Sequence, residues 1–167
     1  MVVVFASKNN TCFINTLFFK KLSLKWGKIM TKDEVLEFLR NNPVFSLATS
    51  DENTPHVRNI MLYKADDNGI IFSTGENKDL HKQLESNPMV EMCFFNPQEG
   101  KQIRIAGTVE QVEDIELKKR IVADYPFLKE WVDREGYDVL VVYRLPHGKA
   151  LVWTMETNFE PKRHIDL

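Results

Sequence analysis

Arg58, Lys78, Gln102 and Arg104 are the residues of this sequence whose types and placement could do chemistry. Arg58 lies in His56-Val57-Arg58-Asn59-Ile60, where strand alternation puts His56 and Arg58 on the face that Ile60 shares. In Lys101-Gln102-Ile103-Arg104-Ile105-Ala106-Gly107, Ile103 and Ile105 face one way and Gln102, Arg104 and Ala106 the other. Lys78 falls in the first turn of a helix expected after Thr74-Gly75. Backbone N–H groups at such a helix start, together with a cation, make a seat for a phosphate. On pattern alone, Arg58, Gln102 and Arg104 serve equally as the solvent faces of half-buried strands.

Other chemistry is not indicated. The sequence holds no Gly-x-Ser-x-Gly elbow, no Walker loop and no Gly-x-Gly-x-x-Gly fingerprint. His56, His81, His147 and His164 are scattered, with no pair at helical ligand spacing, so a metal site would need long-range assembly and none is expected. Glu91 sits mid-strand among apolar neighbours and reads as edge-facing or paired rather than catalytic.

The elements that must position these residues are mostly strands. Val35, Leu36, Phe38 and Leu39 form the apolar stripe of a first helix, opened by the capping box Thr31-Lys32-Asp33-Glu34. Strands are expected at Val44–Thr49, His56–Tyr63, Ile70–Thr74, Met89–Phe95 and, as one long strand, Lys101–Val112. A last hairpin is expected from Asp138–Tyr143 and Lys149–Met155 around Pro146-His147-Gly148. Asn68-Gly69 is a strong hairpin turn signal, supplying positive φ. Helices are expected over Gly75–Ser86, from Asp114 through Val122, and over Pro126–Glu135. Successive strands joined by tight turns imply a mainly β protein with antiparallel pairing, a barrel or sandwich.

At 167 residues the chain has the length of one domain. No window reaches the roughly 18 apolar residues of a membrane span, so no membrane partner is expected. Residues 1–29 carry five lysines and no acid, whereas the remainder holds 17 basic and 24 acidic residues. An acidic body does not invite nucleic acid, whose binding rests on clustered Lys and Arg. Because the capping box at Thr31 resembles the start of a domain, residues 1–29 are expected to be an extension outside a fold spanning 30–167. Cys12 and Cys93 do not suggest a disulfide framework, and a reducing, cytoplasmic setting fits.

Taken in order, Val44-Phe45-Ser46-Leu47-Ala48-Thr49, Thr54-Pro55-His56-Val57-Arg58, Gly69-Ile70-Ile71-Phe72-Ser73-Thr74, Lys78 through Lys82-Gln83-Leu84-Glu85-Ser86-Asn87-Pro88, and Gln102-Ile103-Arg104-Ile105-Ala106-Gly107-Thr108-Val109-Glu110 resemble a known family. It is the pyridoxamine 5′-phosphate oxidase-like, FMN-binding split-barrel superfamily. The closer likeness is to its bacterial branch of nitroimidazole-resistance and general-stress proteins. The resemblance covers roughly residues 33–155; each motif is weak alone, and their order and spacing make the set fairly specific.

The resemblance implies a six-stranded antiparallel split barrel and a homodimer with FMN in the groove between subunits. The apolar strands Met89–Phe95 and Val139–Tyr143, richer than one core of this size should need, point the same way. By the same resemblance Arg58 meets the flavin phosphate or ribityl chain, and Asn59 and Ile60 offer backbone contacts to the ring edge. Thr74 and Lys78 complete the phosphate site, and Gln102 hydrogen-bonds the ring, from the partner subunit in one arrangement. Trp153 corresponds either to an aromatic beside the flavin or to a core or interface tryptophan. The implied activity is reduction of a small-molecule substrate with electrons from a nicotinamide cofactor. The alternative is a flavin- or haem-binding protein without turnover, serving storage or stress sensing. Two departures stand out. The Arg-x-His pattern that true pyridoxamine 5′-phosphate oxidases carry near their C-terminus is missing from Phe159–Leu167, which points away from vitamin B6 synthesis. Ser73 stands where nitroimidazole reductases of this branch have histidine.

Overall fold

The computed structural model describes residues 30–167, so the expected extension over residues 1–29 lies outside the described residues. Helix α1 (Lys32–Asn41) begins at the expected capping box: Glu34 N–H donates to Thr31 Oγ1 and Thr31 N–H to the Glu34 carboxylate. Its apolar stripe, Val35, Leu36, Phe38 and Leu39, is buried. Strands β1 (Val44–Asp51), β2 (Thr54–Asp66) and β3 (Gly69–Gly75) follow, then α2 (Asp79–Ser86), β4 (Met89–Asn96), β5 (Lys101–Thr108) and the short β6 (Glu110–Gln111). The chain continues through α3 (Ile115–Asp124), α4 (Lys129–Glu135), β7 (Leu140–Leu145), β8 (Gly148–Thr154) and β9 (His164–Asp166).

Every pairing is antiparallel, in the order β6-β7-β3-β2-β1-β4-β5-β8-β9. The mainly β, split-barrel expectation therefore holds, with nine strands rather than six; the two edge strands, β6 and β9, are short. The sheet curls around a core of Phe45, Leu47, Phe72, Met92, Phe94, Ile103 and Ile105, all essentially inaccessible. Phe45 stacks on Phe94 at 4.7 Å between ring centroids and meets Phe72 edge-on at 6.0 Å. Such offset and edge-to-face contacts add to what burial alone contributes. A second apolar cluster, Ile121, Val122, Val132, Leu140 and Val142, packs α3 and α4 over β7. The apolar surplus of Val139–Tyr143 is thus covered by the chain's own helices rather than left over.

Four local expectations are corrected. The expected strand Lys101–Val112 is two strands: the chain leaves β5 at Thr108, Val109 N–H bonds Pro88 O at 2.9 Å, and β6 pairs with β7. The helix expected from Gly75 starts only at Asp79, because β3 runs on through Gly75 in register with Leu140. The first strand of the last hairpin starts at Leu140 rather than Asp138, because Tyr137–Val139 is a 3-10 turn, and β9 then pairs with β8. Finally, of Asn68-Gly69 only Gly69 has a positive φ (117°), while Glu52 (45°) and Asn53 (66°) form the left-handed pair at the β1–β2 turn.

Candidate functional site

The pairing of β2 with β3 is short. It joins Asp66↔Gly69, Ala65↔Ile70, Lys64↔Ile71 and Leu62↔Phe72, with a register shift between Leu62 and Lys64. Beyond it, β2 stays on β1 as far as Thr54, whereas β3 stays on β7 as far as Gly75. The two strands therefore part, and the barrel is split along this line. Arg58, Asn59 and Ile60 lie on one lip and Thr74 on the other, with Lys78 at the start of α2 just beyond it. A strand with one edge unpaired leaves main-chain donors and acceptors available to a ligand.

The outward and inward faces of β2 divide as alternation requires: Val57, Asn59 and Met61 are exposed, while His56, Arg58 and Ile60 are half-buried. Ile60 packs on the core. Asn59 turns outward, and its Oδ1 accepts a hydrogen bond from Ser46 Oγ at 3.0 Å.

Arg58 turns inward. Its Nη1 donates to Thr49 Oγ1 at 2.6 Å and its Nη2 to Gln83 Oε1 at 2.6 Å, with longer Nη1 contacts to the carbonyls of Leu47 and His56. Thr49 Oγ1 in turn donates to Gln83 Oε1 at 2.7 Å. Thr49 and Gln83 are buried, and every buried side-chain polar atom among the described residues has a partner. All of these partners are neutral. Burial pulls the guanidinium below its ordinary pKa, yet an arginine remains charged in proteins. Arg58 is thus a half-buried cation whose described hydrogen-bond acceptors include no carboxylate.

Sequence reasoning missed Thr49 and Gln83. Gln83 carried a usable signal, since it lies on the same helical face as Leu80 and Leu84. A polar residue at a buried helical position needs a partner.

Lys78 is the N-cap of α2 rather than a first-turn residue, with extended backbone and no side-chain cap. The N-caps of α1 and α3, Thr31 and Asp114, do supply capping oxygens. Lys78 is exposed and makes no ion pair among the described residues. Thr74 is half-buried opposite Val141.

Gln102 and Trp153 are elsewhere. They are register partners on β5 and β8, in one row with Phe95 of β4. β2, β1 and β4 separate them from the β3 lip in the sheet order. The Gln102 amide donates to Cys93 Sγ at 2.7 Å, and Trp153 Nε1 donates to Asn158 Oδ1 at 2.8 Å. Both line a cavity of about 780 Å³ between α1, β5, β8 and residues 157–165. One protomer thus assembles Arg58, Asn59, Ile60, Thr74 and Lys78 around the split but keeps Gln102 and Trp153 apart from them.

The outward face of β1, β2 and β4 carries Val44, Val57, Met61, Met89 and Phe95, between 48% and 68% exposed. In the middle of this sheet, Arg104 pairs with Glu91 at 3.3 Å, so Glu91 is paired as expected. Among the described residues no group of three or more His, Cys, Asp or Glu side chains could hold a metal, and no helix is long and apolar enough to cross a membrane.

A split antiparallel barrel with a cationic lip defines a class that comparison with known proteins places by name. The family model described as pyridoxamine 5′-phosphate oxidase matches residues 31–142, and the chain belongs to that family. It is 32% identical over 107 residues to the pyridoxine/pyridoxamine 5′-phosphate oxidase of Pelagibacter ubique (strain HTCC1062), a match covering 63% of this chain and 49% of that protein. The chain therefore spans about half the length of that relative. Among solved structures, a NimC/NimA family protein from Clostridium acetobutylicum matches with a TM-score of 0.66 and 25% identity, over 81% of this chain and 92% of that one. An FAD-binding protein from Mesorhizobium loti (TM-score 0.53, 18% identity, 70% and 89% covered) shares the fold. So does the haem storage protein HutZ of Vibrio cholerae (TM-score 0.51, 19% identity, 71% and 90% covered).

Proposed function

We propose that this protein binds FMN in the split between β2 and β3 and uses it to reduce a small molecule with electrons from a nicotinamide cofactor. The observation that carries the reading is Arg58: a half-buried guanidinium whose partners among the described residues are all neutral, on the lip opposite a helix start with no side-chain cap and a lysine with no ion pair among those residues. A dianionic phosphate complements all three, because charge-assisted hydrogen bonds and helix N–H groups favour negative charge.

The residues present fit the rest of a flavin. Thr74 offers a hydroxyl beside the phosphate seat. Ile60 offers an apolar wall, and the unpaired edge of β2 at Asn59 and Ile60 offers main-chain donors and acceptors to a polar ring rim. The Asn59 side chain is held outward by Ser46, so its contribution is its backbone. Bound there, the isoalloxazine would supply the redox chemistry, and the protein would supply position and electrostatics.

The remaining residues, Gln102 and Trp153, complete the site from a partner subunit. The exposed apolar face of β1, β2 and β4 supports a homodimer, since contiguous apolar surface of this kind marks an association site. A two-fold pairing over this face would bring the partner's β5–β8 region towards the split. Family membership supports a flavin-type oxidoreductase, and the particular acceptor belongs to the proposal.

The absorbance spectrum of the purified protein tests the reading: oxidised flavin bands are expected. A Soret band instead would assign the barrel to haem. Flavin that NADH and NADPH fail to reduce in stopped flow would leave a carrier in place of an enzyme.

A further inference from the structure

Gln83 is 6% exposed on α2, the helix whose N-cap is Lys78. Its carbonyl oxygen Oε1 accepts two short hydrogen bonds, from Arg58 Nη2 at 2.6 Å and from Thr49 Oγ1 at 2.7 Å. Thr49 Oγ1 accepts in turn from Arg58 Nη1 at 2.6 Å, which closes a ring of three side chains from β1, β2 and α2. The ring fixes which way the amide faces, because a guanidinium only donates and Gln83 Nε2 in that place would set donors against donors. The ring engages both terminal nitrogens of Arg58, and no hydrogen bond among the described residues uses Nε. Nε–H and the second Nη2–H are left as a parallel pair, the fork that takes two oxygens of one phosphate. The two acids of α2, Asp79 and Glu85, are exposed, and Glu85 faces His81 at 3.7 Å. Burial lowers the Arg58 pKa, and among the described residues no neighbouring carboxylate opposes it.

We propose that Gln83 sets the ligand specificity of the split: its neutral amide holds the Arg58 guanidinium in place without neutralising it, so the counter-charge must come from an anionic ligand, a phosphate monoester. The inference rests on the flavin reading above, which puts a phosphate here, and names the residue that reserves the cation for it. A carboxylate at this position would hold Arg58 equally well, since it offers the same acceptor oxygen at the same reach. It would also supply the charge that the phosphate supplies, and the ligand would then gain little from Arg58. Glutamine and glutamate differ here by little more than that charge. The choice between them therefore concerns the ligand rather than the fold.

The test titrates wild type and Gln83→Glu with FMN and riboflavin by flavin fluorescence quenching, and melts both with and without inorganic phosphate. Gln83→Glu keeps the hydrogen-bonded ring and should melt at or above wild type, because its carboxylate pairs with Arg58. FMN should nonetheless bind roughly 10- to 150-fold more weakly, the worth of one charge-assisted hydrogen bond. Riboflavin affinity should stay nearly constant. Inorganic phosphate should raise the melting temperature of wild type by more than that of Gln83→Glu, since a ligand of the folded state stabilises it in proportion to its affinity.

A folded Gln83→Glu variant that keeps the full gap between FMN and riboflavin would overturn the proposal while leaving the flavin site standing. Equal losses for both flavins would overturn it too and leave Gln83 a packing residue. Wild type that binds neither flavin would remove the flavin reading, and phosphate then decides this inference separately. Stronger stabilisation of wild type than of Gln83→Glu would keep the reserved cation, and equal stabilisation, or none, would overturn it. If Gln83→Glu fails to fold, Thr49→Asp brings the carboxylate to Arg58 from β1 instead. An unchanged gap between FMN and riboflavin in that variant would overturn the proposal.

Discussion

Lys78→Ala removes an exposed ammonium that makes no ion pair and no side-chain cap among the described residues. An exposed charge of this kind changes folding stability by only about 0.5 kcal/mol, so the variant should melt with wild type. Its effect on ligand binding should be much larger. A charge-assisted hydrogen bond to phosphate is worth on the order of 1.5–3 kcal/mol, which weakens FMN roughly 10- to 150-fold when it is lost. Exposure of Lys78 places it at the lower end of that range, because solvent screens the pair.

Arg58→Ala should weaken FMN at the upper end, since its guanidinium is half-buried and its hydrogen-bond acceptors among the described residues include no carboxylate. Its stability cost is also larger. Thr49 and Gln83 keep their mutual 2.7 Å bond but lose the two Arg58 donors, at a cost of about 1–3 kcal/mol. Comparing ligands within one variant cancels that cost. FMN and riboflavin differ only in the phosphate, so both substitutions should narrow the gap between them while riboflavin affinity stays nearly constant. Fluorescence titrations at two salt concentrations read this directly, and raising the salt should weaken FMN in wild type more than in Lys78→Ala. Equal losses for FMN and riboflavin would show that neither residue meets the phosphate. No loss for either ligand would place the site elsewhere.

Tyr143 is buried and its phenol is pushed up to about 12, by burial first and by Glu85 second. Its folded pKa lies above the unfolded value near 10, so the folded state holds this proton more tightly. The contribution to stability is complete below pH ~10 and is lost as pH rises towards 12. Tyr143→Phe should therefore flatten the fall in denaturant midpoint between about pH 10 and 12, an effect of roughly 2–3 kcal/mol. The same slope in variant and wild type would refute the assignment. Val57→Glu or Met61→Glu, on the exposed sheet face, should shift the mass in light scattering from dimer to monomer at micromolar concentration. Flavin content should fall with it, because Gln102 and Trp153 would no longer reach the split. Retention of full flavin by a monomer would refute the shared site.

Much of this protein is decided within short stretches of sequence. The Thr31–Glu34 capping box, the apolar stripe of α1 and the alternation of Phe45, Leu47 and Thr49 against Ser46 and Ala48 are local patterns, and the chain obeys each. The same holds for the inward turn of Arg58 with Ile60, since period-two alternation needs no distant partner. The family motifs lie in such stretches, so the class of protein and five residues around the split were legible there. What Arg58 meets was not legible, because Thr49 and Gln83 reach it only through the β1–β2 register and the docking of α2.

The split is likewise a tertiary fact. It arises where the β2 register shifts at Leu62 and the sheet curls β3 away towards β7. The break of the long strand at Val109 follows from the same curl, since one straight strand cannot pair with both β4 and β7. Gly75 and Trp131 are joined by the packing of α4 over the end of β3, and no local periodicity links residues so far apart in the chain. Propensity and alternation act over a few residues, and they determined the strands, the caps and the residue types. Which side chains face one another, and which are left without a counter-charge, depended on register, twist and helix docking, which only the assembled sheet decides.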